Sequence, residues 1–250
     1  MARMIPHLTR PSRRPSGRIW QSSAWLALLL AGAPASAQSP GPTAPKAAEE
    51  QAYLNALAER CRRILVPLQL DSEALSNRVH AILMEQYQTL RHIHDRRDRA
   101  LDELAGRQSS TPEERQQRRQ QILDDVRKEL DQAHRAFLDR LGRELPPEQV
   151  DRIKDGMTYN LVDVTYQAYL RLLPELSDEQ KQHIRNLLLE ARELAMDEGT
   201  AREKHMVFNR YKGRINNYLS AQGYDLKAAE RRLRESISAQ RRVQRSAQQH

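Results

Sequence analysis

The side chains best suited to chemistry cluster between positions 204 and 226. At helical spacing Val207, Tyr211, Ile215, Tyr218 and Leu219 share one face. Lys212, Asn216 and Asn217 project elsewhere, and Arg214 borders the apolar stripe. Recognition of a saccharide needs planar side chains for the apolar faces of the ring, and forked donors and acceptors for its hydroxyls. Tyr, Asn, Arg and Lys supply both. The same spacing also suits a core helix whose polar groups bond to neighbouring helices, so packing and recognition both stand at this point. Gly213 inside the predicted helix costs ~1 kcal/mol relative to alanine, which predicts close approach of another backbone or a ligand. Gly223 reads as the residue ending this helix and Asp225 as the cap of the next.

A second segment, Gly156-Met157-Thr158-Tyr159-Asn160, interrupts a helical pattern. Thr158 is expected to cap a helix carrying Tyr159, Val162, Tyr166 and Tyr169 on one stripe, an arrangement that serves packing as readily as recognition. A pocket here would bring Tyr159 and Asn160 against the 211–218 helix. The candidate ligand-binding set is therefore Tyr159, Asn160, Lys212, Arg214, Asn216, Asn217 and Tyr218.

Other constellations are weaker. His94 and Asp98 stand four residues apart, beside His92 and Asp95, and could chelate an ion from one helix turn. Arg91, Arg96, Arg97 and Arg99 surround them and favour a solvated, salt-bridged face, so no metal or cofactor is expected. Cys61, flanked by Arg60 and Arg62, could have a lowered pKa but reads as a lone, partly buried thiol. With one cysteine, disulfide scaffolds and zinc ribbons are excluded. His205, beside Lys204, has no partner in sequence, and no nucleophilic triad, phosphate loop or dinucleotide fingerprint occurs. No catalytic residue is assigned, although Asp155, Asp163, Glu190 and Glu193 lie near the two segments above.

The elements that must position these residues are helical. From Ser72, apolar side chains recur at Leu75, Val79, Ile82, Leu83, Leu90, Ile93, Leu101 and Leu104. Gly106 and Ser109-Ser110 break the pattern, and Thr111-Pro112-Glu113-Glu114 restarts it with a capping threonine and a proline in the first turn. The second stripe runs through Ile122, Val126, Leu130, Phe137 and Leu141. The two helices, each ~45 Å long at ~1.5 Å per residue, predict an antiparallel hairpin over about 72–142. Shorter helices are expected near 147–155, 158–173, 178–197, 201–220 and 226–243. The fold class is all-α: an elongated helical bundle with a long hairpin and several shorter C-terminal helices, forming one domain over 46–250.

Residues 1–37 read as a secretory signal. Five arginines precede the apolar run Ala24–Leu30, and Ala35-Ser36-Ala37 is a small-x-small cleavage pattern, with the cut after Ala37. The apolar run is far shorter than the ~20 residues that span a bilayer. Ser12-Arg13-Arg14 leaves twin-arginine export open beside the general route. The mature chain, periplasmic or secreted and without stable membrane insertion, opens with a flexible leader over 38–45, Gln-Ser-Pro-Gly-Pro-Thr-Ala-Pro. Removal of the signal takes both tryptophans, while six of the eight tyrosines fall between Tyr159 and Tyr224. The 250-residue chain has a formal charge of +8, but without the signal 36 basic side chains face 33 acidic ones. That balance gives no footprint for nucleic acid.

Leu70-Asp71-Ser72-Glu73-Ala74, Leu145-Pro146-Pro147-Glu148-Gln149 and Leu176-Ser177-Asp178-Glu179-Gln180 share one design, a leucine before a helix start with a glutamate in the first turn. An ancestral duplication and shared capping chemistry explain it equally well. The latter two motifs are similar to the repeated Leu-Thr-x-x-Gln signature of small periplasmic stress chaperones, which are all-helical and bind unfolded clients. A more specific resemblance rests on Lys154 to Asn160, Leu176 to Gln180, Glu190 to Asp197 and Tyr211 to Leu226, with Gln86-Tyr87 and Ile93 to Asp98 upstream. Over about residues 50–235 these resemble a family of secreted bacterial proteins of unknown function labelled sugar-binding. The resemblance implies an exported helical protein with an oligosaccharide or glycan as ligand, and it supplies no catalytic residues. The expected function is non-catalytic glycan binding. The alternatives are a stress-type chaperone or protein-interaction module and, third, an unrecognised glycan-active enzyme. Oligomeric state is not specified by the sequence.

Overall fold

The computed structural model describes residues 43–106 and 111–247. The signal segment, its cut after Ala37 and residues 38–42 of the leader lie outside the described residues. Among the described residues the regular structure is helical throughout, with no strand. The helices are α1 (Thr43–Leu65), α2 (Glu73–Gly106), α3 (Pro112–Glu144), α4 (Pro147–Met157), α5 (Leu161–Leu172), α6 (Asp178–Met196), α7 (Ala201–Ala221) and α8 (Leu226–Ala247). A short 3-10 helix, Val66–Leu68, follows α1. None of these helices is long and apolar enough to cross a membrane. Thr43-Ala44-Pro45, expected in the leader, already belongs to α1. Proline is tolerated there because the first turn of a helix has no intrahelical acceptors for its N–H groups.

Capping chemistry sets most boundaries. Thr111 and Glu114 form a reciprocal box at the start of α3: the Glu114 amide donates to Thr111 Oγ1 at 3.2 Å, and the Thr111 amide donates to Glu114 Oε2 at 2.9 Å. Ser177 with Gln180 does the same for α6, and Thr200 with Glu203 for α7. The Leu176–Gln180 motif thus spends its polar atoms on starting a helix, while Leu176 is buried.

Helices α2 and α3, 34 and 33 residues long, pack as the predicted hairpin. Ion pairs Arg78–Glu144, Arg140–Glu85 and Arg96–Glu129 match ascending positions on one helix to descending positions on the other, so the pair is antiparallel. Two apolar cores result. The first joins Leu57, Cys61 and Ile64 of α1 to Val79 and Leu83 of α2, Phe137 and Leu141 of α3, and Ile153 and Met157 of α4. The second joins Val162 and Tyr169 of α5 to Ile184, Leu188 and Ala191 of α6, Phe208, Ile215 and Leu219 of α7, and Ala229 of α8. Met196, the last residue of α6, belongs to the first core, so α6 spans both.

Buried charges reinforce that span. Lys204, 1% exposed, donates from Nζ to the carbonyls of Ala195 and Met196, each at 2.9 Å. The ammonium thereby satisfies the carbonyl end of α6, where the helix dipole favours a cation. Burial still lowers its pKa to about 8. Arg192 of α6 reaches Asp151 and Asp155 of α4 at 2.7 and 2.8 Å. His134 of α3 donates from Nδ1 to Asp197 at 2.8 Å, with Glu193 3.6 Å from its other nitrogen and Lys154 3.0 Å from Glu193. Hydrogen bonds to Asp197 and Glu193 push the imidazole up to about 9, while its bonds from His134 and Lys154 hold Glu193 down at about 2 against the opposing effect of burial. A network in which each charge has opposite partners is rigid.

Candidate functional site

The connection between α4 and α5 departs from what the residue types suggest. Thr158, fully buried, does not cap α5. Its hydroxyl donates back to the Lys154 carbonyl at 2.9 Å and so ties off α4. Tyr159 and Asn160 then adopt left-handed backbone, with φ of 58° and 55°. Within this turn the Asn160 amide donates to Asp155 O at 2.8 Å and the Leu161 amide to Thr158 O at 3.1 Å. Two consecutive non-glycine residues in this region cost on the order of 1 kcal/mol or more each. Helix α5 therefore begins at Leu161, after Tyr159, and the ring of Tyr159 is 42% exposed instead of continuing the packed stripe of Val162 and Tyr169. It lies parallel to His205 of α7, with ring centroids 6.1 Å apart.

Gly156 brings α4 close to α1: a Cβ there would lie 3.0 Å from Cγ2 of Ile64. Beside this approach opens a groove of about 650 Å³. Arg60 and Arg63 line it from α1, Pro67 from the 3-10 helix, Arg152 and Asp155 from α4, and Tyr159, Asn160 and Asp163 from the turn and the start of α5. Asp155 is committed to Arg192. The side chains of Arg63, Arg152, Asn160 and Asp163 have no hydrogen-bond or ion-pair partner among the described residues, and all four residues are exposed. The volume lies within the ~300–1,000 Å³ of ordinary ligand sites.

Arg60 also lines a second cavity, of about 320 Å³, between α1, α2 and the start of α7. There the Arg91 guanidinium stacks 3.9 Å from the centre of the Tyr53 ring, and Arg60 lies 5.6 Å from that of Tyr87. Burial raises the hydroxyl of Tyr87 and the carboxyl of Glu198 above their ordinary ranges. His94 faces this cavity but is fully engaged: Arg97 donates to Nδ1 at 2.9 Å, and Nε2 donates to the Asp197 carbonyl at 2.7 Å. Asp98 pairs with Arg97 at 2.7 Å. The chelating pair suggested by spacing is thus spent on packing the α6–α7 turn, where Gly199 leaves room for the His94 ring. Among the described residues no three His, Cys, Asp or Glu side chains gather to hold a metal. Cys61 is fully buried, and desolvation, outweighing Arg60, pushes its thiol up to about 11.

The remaining candidates lie apart from the groove. Lys212, Arg214, Asn216, Asn217 and Tyr218 sit on α7 and line neither of these two cavities. Tyr211 is buried, with the Arg214 guanidinium 4.5 Å from its ring centre, and Arg214 pairs with Glu190 of α6 at 3.1 Å. Tyr169 donates to Asn216 Oδ1 at 2.7 Å, and the half-buried Tyr218 ring stands 4.0 Å from that of His183. Asn217 is exposed and Lys212 half-buried. A Cβ on Gly213 would meet open space, so no close approach explains that glycine. Neither of these two cavities brings Tyr159 and Asn160 together with the 211–218 stretch: Tyr159 stacks on α7 at His205, and the face carrying Tyr211, Ile215 and Leu219 turns toward α5 and α6.

The residues sequence reasoning missed are Arg60, Arg63 and Arg152. Each resembles an ordinary charge on a solvated helix face. The available signal was Gly156, a small residue that lets α1 and α4 converge. No curated protein matches this chain in sequence. The model of one family matches residues 54–239, a stretch running from α1 into α8 that contains every residue lining the groove; on that match the chain belongs to the DUF3826 family, proteins of unknown function.

Proposed function

We propose that this chain is an exported, non-catalytic glycan-binding protein whose site is the groove between α1 and the α4–α5 turn. The observation that carries the proposal is the exposed Tyr159 ring, held by two successive left-handed residues at the rim of a cavity with unpartnered polar side chains. Strained backbone persists where surrounding structure over-determines it, and such places cluster at ligand sites. Tyr159 offers a flat apolar surface for a sugar ring, while Asn160, Asp163, Arg63 and Arg152 offer donors and acceptors for its hydroxyls. The signal-like sequence of residues 1–37 supports export to the periplasm or beyond.

Binding without turnover is favoured by the state of the carboxylates in and beside the groove. Glycoside hydrolysis ordinarily needs two carboxyl groups flanking one bond, one of them with a raised pKa. Glu193 is held at about 2, Asp155 and Glu190 are ion-paired with arginines, and Asp163 stands in the groove without a second uncommitted carboxylate.

Thermal denaturation with a panel of neutral and acidic oligosaccharides tests this reading. At least one should raise Tm progressively with concentration, adding about 2.7 kcal/mol of stability at a hundred times its Kd. Tyr159→Asn, which keeps a side chain tolerant of left-handed backbone but removes the ring, should abolish that shift without lowering the ligand-free Tm. Asn217→Ala on α7 should leave it intact. If no oligosaccharide changes Tm at millimolar concentration, glycan binding is refuted.

A further inference from the structure

We infer that the ligand of this groove is an anionic saccharide, one whose sugar carries a carboxylate or sulfate group. The inference rests on the glycan reading of the groove and adds the charge of the ligand. Three arginines, Arg60, Arg63 and Arg152, line the cavity from its two walls, Arg60 shared with the neighbouring cavity that holds Tyr87. Only two carboxylates join them. One of these, Asp155, already faces Arg192 at 2.8 Å from the α6 side, so its charge is answered by a cation that does not line the groove. That leaves Arg63 and Arg152, with the shared Arg60, against Asp163 alone.

The local bonding shows why these arginines are unspent. On α1 the neighbouring Arg62 takes Glu59 at 2.9 Å, the acidic side chain one turn before Arg63, and Arg63 is followed one turn later by Val66 and Pro67. On α4 the carboxylate one turn after Arg152 is Asp155, already bound to Arg192, and the exposed Glu148 one turn before it makes no ion pair with Arg152. Arg60 is positioned over the Tyr87 ring, an interaction that leaves its five N–H donors available at the edge. A guanidinium presents a planar fork that binds a carboxylate or sulfate through paired, charge-assisted hydrogen bonds. Neutral hydroxyls use such a fork only in part. Tyr159 supplies the stacking face at the rim, and Asn160 and Asp163 remain for hydroxyls of the same ring.

The test is calorimetric titration of the full mature chain with matched probes: trigalacturonate and its methyl ester, and a sulfated disaccharide beside its unsulfated parent. Acidic members should bind at least about tenfold tighter than their neutral counterparts, with affinity that falls as salt rises. In the double variant Arg63→Gln/Arg152→Gln the ratio of acidic to neutral affinity should fall to about one, the acidic members losing more affinity than the neutral ones. Both side chains are exposed, so folding should be retained, which an unchanged Tm would verify. Preference for the uronate or for the sulfate identifies which anion is read, and either outcome supports the inference. Equal affinity for charged and neutral members, or preference for neutral ones, overturns the inference and leaves glycan binding standing. No binding by any of the four probes, with neutral oligosaccharides of other composition still raising Tm, overturns the inference alone; no binding by any saccharide overturns both.

Discussion

At Tyr159 and Asn160 the chain accepts a backbone that glycine would adopt freely, and it does so with side chains that reach a cavity. The same economy of position appears at His134. Its ring bridges Asp197 and Glu193 and titrates near 9 instead of near 6.5. A histidine whose pKa is raised by folding contributes stability that is complete below the unfolded value and is lost as pH rises through the folded one. Lys204, lowered to about 8, acts in the opposite sense above that pH. The informative window is therefore about pH 6.5 to 8, over which wild-type stability should fall by about 1.5 kcal/mol from this source. Chemical denaturation across the window should show that slope, and His134→Gln should flatten it while lowering stability at the acid end. A slope unchanged by the substitution would assign it to other groups. Roles of this kind were illegible in sequence, because the partners of His134 and His94 lie far along the chain and each histidine looks solvated until the helices pack.

At the scale of elements, boundaries were legible wherever a cap is encoded locally. Thr111-Pro112 and Ser177 start α3 and α6 where their types predict. The start of α5 was not legible. Thr158 has the right chemistry for an N-cap, but its hydroxyl finds the α4 carbonyls first, and the turn is then completed by backbone bonds alone. Glycines separate in the same way. Gly156 permits contact between α1 and α4, whereas Gly213 faces open space. Gly156→Ala should lower stability by about 1–3 kcal/mol through crowding against Ile64, and it should narrow the groove. Gly213→Ala should instead raise stability by up to about 1 kcal/mol through helix propensity. Denaturant midpoints of the two variants check the opposite signs; destabilisation by both would contradict the packing described for α7.

For the whole molecule, the all-α class and the long hairpin follow from hydrophobic period and turn residues that sit close together in sequence. The site does not, since its walls come from α1 and α4 and its rim from the turn before α5. Tyrosines drew attention to α7, yet there the aromatic face closes the second core, and Arg214 and Asn216 are taken up by Glu190 and Tyr169. Which tyrosine meets the ligand is consequently the point on which the account depends. The direct measurement is an NMR titration of residues 38–250 carrying isotopically labelled tyrosine rings, with trigalacturonate and a neutral oligosaccharide as ligands. Binding at the groove should shift the Tyr159 ring resonances saturably while those of Tyr211 and Tyr218 stay in place. Shifts at Tyr218 with Tyr159 unmoved would contradict it.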